Sequence, residues 1–95
     1  MPQNTDIVLA AAAWTQLTDA DVAGPITFQN KTGDVIWVKA TTDTTAPTNF
    51  NASVRYEPNE GEKKSTIAEL FPGLTSPDRL WAWSQGGGKV AVSHA

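Results

Sequence analysis

Nucleophilic catalysis needs a hydroxyl or thiol beside a base that a third group orients. The chain has one histidine, His94, a single residue from the C-terminus, and no cysteine. Ser93 and Ser84 are the nearest hydroxyl partners for it in sequence, yet neither stands in a nucleophile-elbow sequence. Chain ends fray unless they are paired, so His94 reads as a strand-end side chain that packs its ring on a neighbour. Glycoside hydrolysis needs two facing carboxylates. Asp19 with Asp21, and the group Glu57, Glu60 and Glu62, are the available pairs, and all fall in turn-like segments where carboxylates are solvated.

Calcium takes about six to eight oxygen ligands, usually from one compact acidic loop. Asp19-Ala20-Asp21 has the local spacing but no third ligand follows it, and Asp34 and Asp43 would have to converge in space. Without cysteine there is no disulfide, and one histidine cannot make a zinc site of His and Cys ligands. Gly86-Gly87-Gly88 lies between two strand-like runs rather than between a strand and a helix, so it is not a phosphate cradle. The expectation is a protein that is not an enzyme, with no catalytic residue, no cofactor and no metal.

Charge narrows the partners. Seven Lys and Arg stand against ten Asp and Glu, a net charge of −3, and the charges are scattered apart from Glu60-Gly61-Glu62-Lys63-Lys64. No basic stripe exists to neutralise phosphates, which argues against nucleic acid. The longest apolar stretch, Ile7 to Trp14, is too short to cross a bilayer. It is also a poor signal peptide, since Asp6 precedes it and no Lys or Arg does. The expected product therefore begins near Met1 and is made in the cytoplasm. In that setting Asn30-Lys31-Thr32 and Asn51-Ala52-Ser53 are chance matches to the glycosylation pattern.

Four tryptophans, Trp14, Trp37, Trp81 and Trp83, are the remaining signal. Exposed indoles form platforms for sugar rings, and buried ones fill a core or a subunit contact. The segments that carry them are short and punctuated by turn residues. Strand-like runs are Ile7–Ala13, Ile26–Gln29, Val35–Ala40, Ser53–Glu57, Arg79–Ser84 and Lys89–His94, rich in residues that suit a pleated, half-buried surface. Two hairpins are expected, 25–40 about the turn 30–34 and 79–94 about the turn 85–88.

Alternation puts Trp81 and Trp83 on one face and Leu80, Ala82 and Ser84 on the other; Val90, Val92 and His94 oppose Ala91 and Ser93. Ile36 and Val38 likewise oppose Val35 and Trp37. Strands apolar on both faces are central in a sandwich or covered by something else. Ser65 to Phe71 has room for about two helical turns, with Thr66 and Glu69 at capping-box spacing and Pro72-Gly73 as the stop. The Thr-rich stretch from Thr41 to Ala52 is long for a connection and is either a surface excursion or a binding loop.

The expected fold is all-β: a small antiparallel β-sandwich or jelly-roll-like barrel with at most one short helix (about 65–71), formed by residues 1–95 as a single domain. Residues 1–14 are a candidate extended arm. A chain of this size buries roughly two thirds of its unfolded surface. With disulfides and zinc excluded, association with other subunits is the reinforcement left open to it.

Several stretches together carry a resemblance: Ala13-Trp14-Thr15-Gln16-Leu17-Thr18-Asp19, Pro25–Asn30, Val35–Ala40, Ala46-Pro47-Thr48, Val54-Arg55-Tyr56, Leu70-Phe71-Pro72-Gly73, Arg79–Trp83 and Val90–Ala95. The chain resembles small β-sandwich virion structural proteins of tailed phages, of the capsid-decoration or head-fibre type, over nearly its whole length, in strand-and-turn patterns with no catalytic signature.

The resemblance implies a decoration or cement protein on the outer surface of a phage-type capsid, made in the host bacterial cytoplasm. Its partners would be the major capsid protein or other virion proteins and further copies of itself, a trimer being favoured, with no nucleic acid and no membrane. Many copies on a lattice stabilise it by mass action. Ile7, Val8, Leu9, Trp14, Trp37, Phe50, Trp81 and Trp83 are the interface candidates. The competing expectations are a fibre, tail or head-completion component, and a glycan-binding module on the particle surface.

Overall fold

Alternating apolar residues on short strands have to be buried on one side, and two sheets facing one another achieve this. The computed structural model describes residues 3–18 and 21–95; Asp19 and Ala20 of the acidic triplet lie outside the described residues. The elements are β1 (Gln3–Leu9), β2 (Thr15–Gln16), β3 (Ile26–Asn30), β4 (Ile36–Thr41), β5 (Val54–Tyr56), β6 (Gly61–Ser65), α1 (Ile67–Leu70), β7 (Arg79–Trp83) and β8 (Gly88–His94). They form two four-stranded antiparallel sheets, the first in the order β1-β8-β3-β6 and the second β2-β7-β4-β5. The expected all-β sandwich with one short helix is the observed fold.

The core lies between the sheets. Ile26, Phe28, Val90 and Val92 of the first sheet meet Ile36, Val38, Leu80 and Ala82 of the second, with Leu9, Leu17 and Ile67 closing the sides. The helix is short because its signals are close together. Thr66 caps it reciprocally with Glu69, Ile67 anchors it in the core, and Phe71 ends it just before Pro72. The Thr66 N–H bonds hold the exposed Glu69 carboxyl below its ordinary pKa.

Both expected hairpins are corrected. β3 pairs with β6 and β8, β4 with β5 and β7, and β7 with β2 and β4, so the turns after β3 and after β7 each cross from one sheet to the other. Among the described strands, only β4 and β5 are consecutive and paired. The physical reason lies in the turns. Asn30 is fully buried, and its Nδ2 donates to the carbonyls of Asp34 (2.8 Å) and Tyr56 (3.2 Å) while its Oδ1 accepts from the Thr32 N–H (2.9 Å). That clamp turns the chain out of the first sheet. After β7, the buried Ser84 donates to the Gly87 carbonyl (3.2 Å), and Gly87 and Gly88 take φ of +74° and +124°. A side chain on Gly88 would meet Thr32 at 2.6 Å, so close approach as well as positive φ requires glycine there.

Residues 3–9 of the candidate arm run antiparallel to β8 along their whole length, from Gln3 opposite His94 to Leu9 opposite Gly88. β6 has no counterpart among the strand-like runs of the sequence. It is a charged edge strand, joined to β3 through a register shift between Ile26 and Phe28.

Candidate functional site

Two central strands build the outer face of the second sheet. β4 directs Trp37, Lys39 and Thr41 outward and β7 directs Arg79, Trp81 and Trp83, in the register Trp37 opposite Trp83, Lys39 opposite Trp81 and Thr41 opposite Arg79. β2 adds Gln16 opposite Trp81, and Trp14 stands just before it. An uncovered face of this kind would expose several indoles at once.

The chain covers part of it with its own long connection, residues 42–53, which joins β4 to β5. Phe50 lies among three indoles, with ring centroids 5.3 Å from Trp14, 6.1 Å from Trp37 and 4.9 Å from Trp83, the last two nearly edge-to-face. Such geometry suits the quadrupoles of aromatic rings.

Polar contacts hold the loop in place. Lys39 Nζ donates to Asn49 Oδ1 (3.0 Å), which also accepts from the Asn51 N–H (3.0 Å). The Phe50 carbonyl accepts from the Ser53 hydroxyl (2.7 Å), and Ala52 takes a positive φ of 58° to close the turn. At the base, Trp81 Nε1 donates to Thr41 Oγ1 (2.8 Å). Phe50 nevertheless stays 46% exposed, and Trp14, Trp37 and Trp83 are half-buried. The result is an aromatic surface in which Trp37 and Trp83 stand on central strands and Trp14 and Phe50 come from the connections beside them. To one side Arg79 is paired with Asp21 and Asp78, its guanidinium largely buried.

Of the interface candidates, Trp14, Trp37, Phe50 and Trp83 are thus brought together. Trp81 shares their face but is 7% exposed and occupied with Thr41. Ile7, Val8 and Leu9 belong to the first sheet. Leu9 points inward and is core at 3% exposure, because the strand alternates and its neighbour Val8, 67% exposed, takes the outer side. The two burials withdraw Leu9 and Trp81 from any contact surface.

The groups considered for chemistry are dispersed. His94 is buried on the inner side of β8, where Nε2 lies 3.1 Å from Gln3 Oε1 and Nδ1 2.9 Å from the Ala95 carbonyl. Ser93 faces the opposite side of the same strand. Asp34 Oδ1 accepts from the Val35 N–H and Asp43 Oδ1 from the Thr45 N–H, so each caps its own turn. Glu60 accepts from the Glu57 N–H, and Glu62 accepts from the Tyr56 hydroxyl (3.2 Å). Burial, and then the Glu62 charge, pushes the Tyr56 phenol well above its ordinary pKa. No group of His, Cys, Asp or Glu placed to hold a metal occurs among the described residues.

A second concavity of ≈ 940 Å³ crosses the outer face of the first sheet, bordered by Asn4, Thr27, Gln29, Ala91 and Ser93. Its floor is polar, its rim carries the charged side chains of Arg55, Glu60, Glu62 and Lys63, and the apolar residues that border it, Phe28, Tyr56 and Val92, are themselves buried in the core. Sequence reasoning did not find the Asn30–Tyr56 bond, the Lys39–Asn49 contact or the Arg79–Asp21 pair, because each joins residues whose proximity is set by the fold.

Comparison with protein-family models, with curated proteins and with solved structures gave no match for this chain.

Proposed function

We propose that the chain is a non-enzymatic structural protein of a tailed-phage particle, a decoration module that binds the outer surface of the capsid and reinforces it. The observation that carries this is the aromatic surface made by Trp14, Trp37, Trp83 and the half-exposed Phe50. Interfaces are enriched in aromatic side chains, and a few such anchors supply most of the binding energy. Here Trp37 and Trp83 stand on paired central strands and Phe50 is held by its turn and three ring contacts, so little conformational entropy is lost when a partner covers them. The resemblance to virion β-sandwich proteins names the partner: the major capsid protein or another virion protein.

The test is co-purification with particles made by the genome that encodes the chain. Decoration predicts a copy number comparable to that of the main shell protein, and particles that release their DNA at lower temperature when the protein is stripped away. A few copies per particle would point to a fibre, tail or head-completion component. Absence from particles would end the virion reading.

A glycan-binding module draws on the same rings, with Asn49 and Lys39 beside them. Sugar stacking needs an open ring face, and Phe50 occupies the three indoles. Protection of tryptophan fluorescence from iodide in the free protein counts against sugars.

A further inference from the structure

The four edge strands are not alike. β2 has two residues and β5 three. β6 carries a register shift, Lys63, and Lys64 at a positive φ of 54°. Short length, bulges and lysines are the usual means of keeping an edge from pairing. β1 has none of them. It is seven residues long, in unbroken register with β8, and contains no proline or lysine. Its one charge, Asp6, is bonded to Lys31 of its own sheet side (3.0 Å).

The direction of its backbone groups follows from a neighbour. The Lys89 carbonyl accepts from the Lys31 N–H (3.0 Å), so Lys89 bonds toward the β3 side. Val8, opposite Lys89, is therefore a non-hydrogen-bonded position of the β1–β8 ladder. By the two-residue period, the N–H and C=O groups of Asn4, Asp6 and Val8 point off the open edge. Beside that edge is a groove of ≈ 450 Å³ lined by Ile7, Gln16, Leu17 and Thr18. The Thr18 hydroxyl oxygen is buried and has no hydrogen-bond partner among the described residues.

We infer that the β1 edge pairs antiparallel with the β1 edge of a second copy, about a two-fold axis at Ile7. In that register Asp6 exchanges hydrogen bonds with Val8 of the second copy, Thr5 stands across from Leu9, and the two Ile7 side chains meet at the axis over the groove. Other registers are worse. An axis at Asp6 sets two carboxylates opposite one another, an axis at Thr5 covers residues 3–7, no longer a ladder than 5–9, and sets Ile7 across from Gln3 instead of a second Ile7, and an axis at Val8 runs into Ala12, where φ is 53° and the strand has ended. With the axis at Ile7, Val8 lies between Lys89 of its own chain and Asp6 of the second copy, an arrangement of complementary charge around the most exposed large hydrophobic side chain among the described residues, at 67%. The pairing joins two first sheets into one continuous sheet and has two-fold symmetry, unlike the trimer that the virion resemblance implies.

This inference stands apart from the particle reading and is tested on the free protein. Sedimentation velocity of the full chain should show a dimer. Val8→Pro removes an outward N–H that the fold does not use, so it should give a monomer with unchanged tryptophan emission. The chain has no cysteine, so Ile7→Cys should form a disulfide-linked dimer on oxidation, while Thr27→Cys, in the middle of the same sheet, should stay monomeric on a non-reducing gel. A monomer at every accessible concentration would overturn the inference. So would a dimer that survives Val8→Pro, or cross-linking of Thr27→Cys as fast as Ile7→Cys.

Discussion

On the outer side of the first sheet the central strands present Thr27, Gln29, Ala91 and Ser93 to solvent; on the outer side of the second they present Trp37, Lys39, Trp81 and Trp83. Both faces are built by the same alternation, and both inner faces are apolar core. The difference lies in what the outward positions require. Small polar side chains are satisfied by water or by nearby backbone, as Thr27 is by the Lys64 N–H and Gln29 by the Asn59 carbonyl. Indoles are not, and the second sheet has a twelve-residue excursion, 42–53, that lays Phe50 across three of them. The cover is incomplete, because Phe50 is itself 46% exposed. A sheet apolar on both sides thus obtains one cover from the opposite sheet and part of another from its own loop, and the remainder is free to meet a partner.

If this contrast is correct, the same kind of truncation should have unequal effects on the two faces. Trp83→Ala removes a ring packed on Phe50 and opposite Trp37, and should cost about 3 kcal/mol in urea unfolding, the low end for large aromatic truncations because the site is half-buried. Phe50→Ala should cost about 1 kcal/mol, the value of lost ring pairs at a partly exposed site. It should also shift tryptophan emission to the red as the indoles become wetter.

Tyr56 sits at the seam, where β5 of the second sheet meets β6 of the first through the bond to Glu62. Its folded pKa is raised, so its contribution is complete below the unfolded value of about 10 and is lost as pH rises beyond it. Tyr56→Phe should cost about 1 kcal/mol at neutral pH for the lost hydrogen bond and should flatten the fall in stability on the alkaline side, which a urea series across that range would read. Ser93→Ala on the polar face should stay within about 0.5 kcal/mol. Equal losses at Trp83 and Ser93 would break the comparison.

Much of the fold was legible in local pattern. The inward positions Ile36, Val38, Leu80, Ala82, Val90 and Val92 were set by alternation, and the helix by the Thr66–Glu69 spacing ahead of Pro72. The pairing of strands was not legible, because a turn such as 30–35 can fold a chain within a sheet or across to another. What decides is the Asn30 clamp, which joins a local bond to Asp34 with one to Tyr56, 26 residues away in sequence. β6 escaped because a charged edge strand has no apolar alternation to detect; the expected run Ile7–Ala13 missed the polar start of β1, Gln3 to Asp6, for the same reason, and overran its end at Leu9 because the alanines that follow are apolar without being strand. At the aromatic site the residue types stood out in sequence and their grouping did not. Nothing in the sequence order says that Phe50, in a Thr- and Asn-rich loop, returns to Trp14, Trp37 and Trp83, or that Trp81 and Leu9 are buried.

The central claim is that the aromatic face of the second sheet is the one that binds the particle. The most direct test is quantitative rebinding to stripped particles of two folded variants, Phe50→Glu and Ser93→Glu, each placing one carboxylate on one outer face. The account predicts that Phe50→Glu loses binding by at least about tenfold, the equivalent of 1.4 kcal/mol, while Ser93→Glu binds like the unchanged protein. Retention of Phe50→Glu together with loss of Ser93→Glu would contradict it and would place the contact on the polar face.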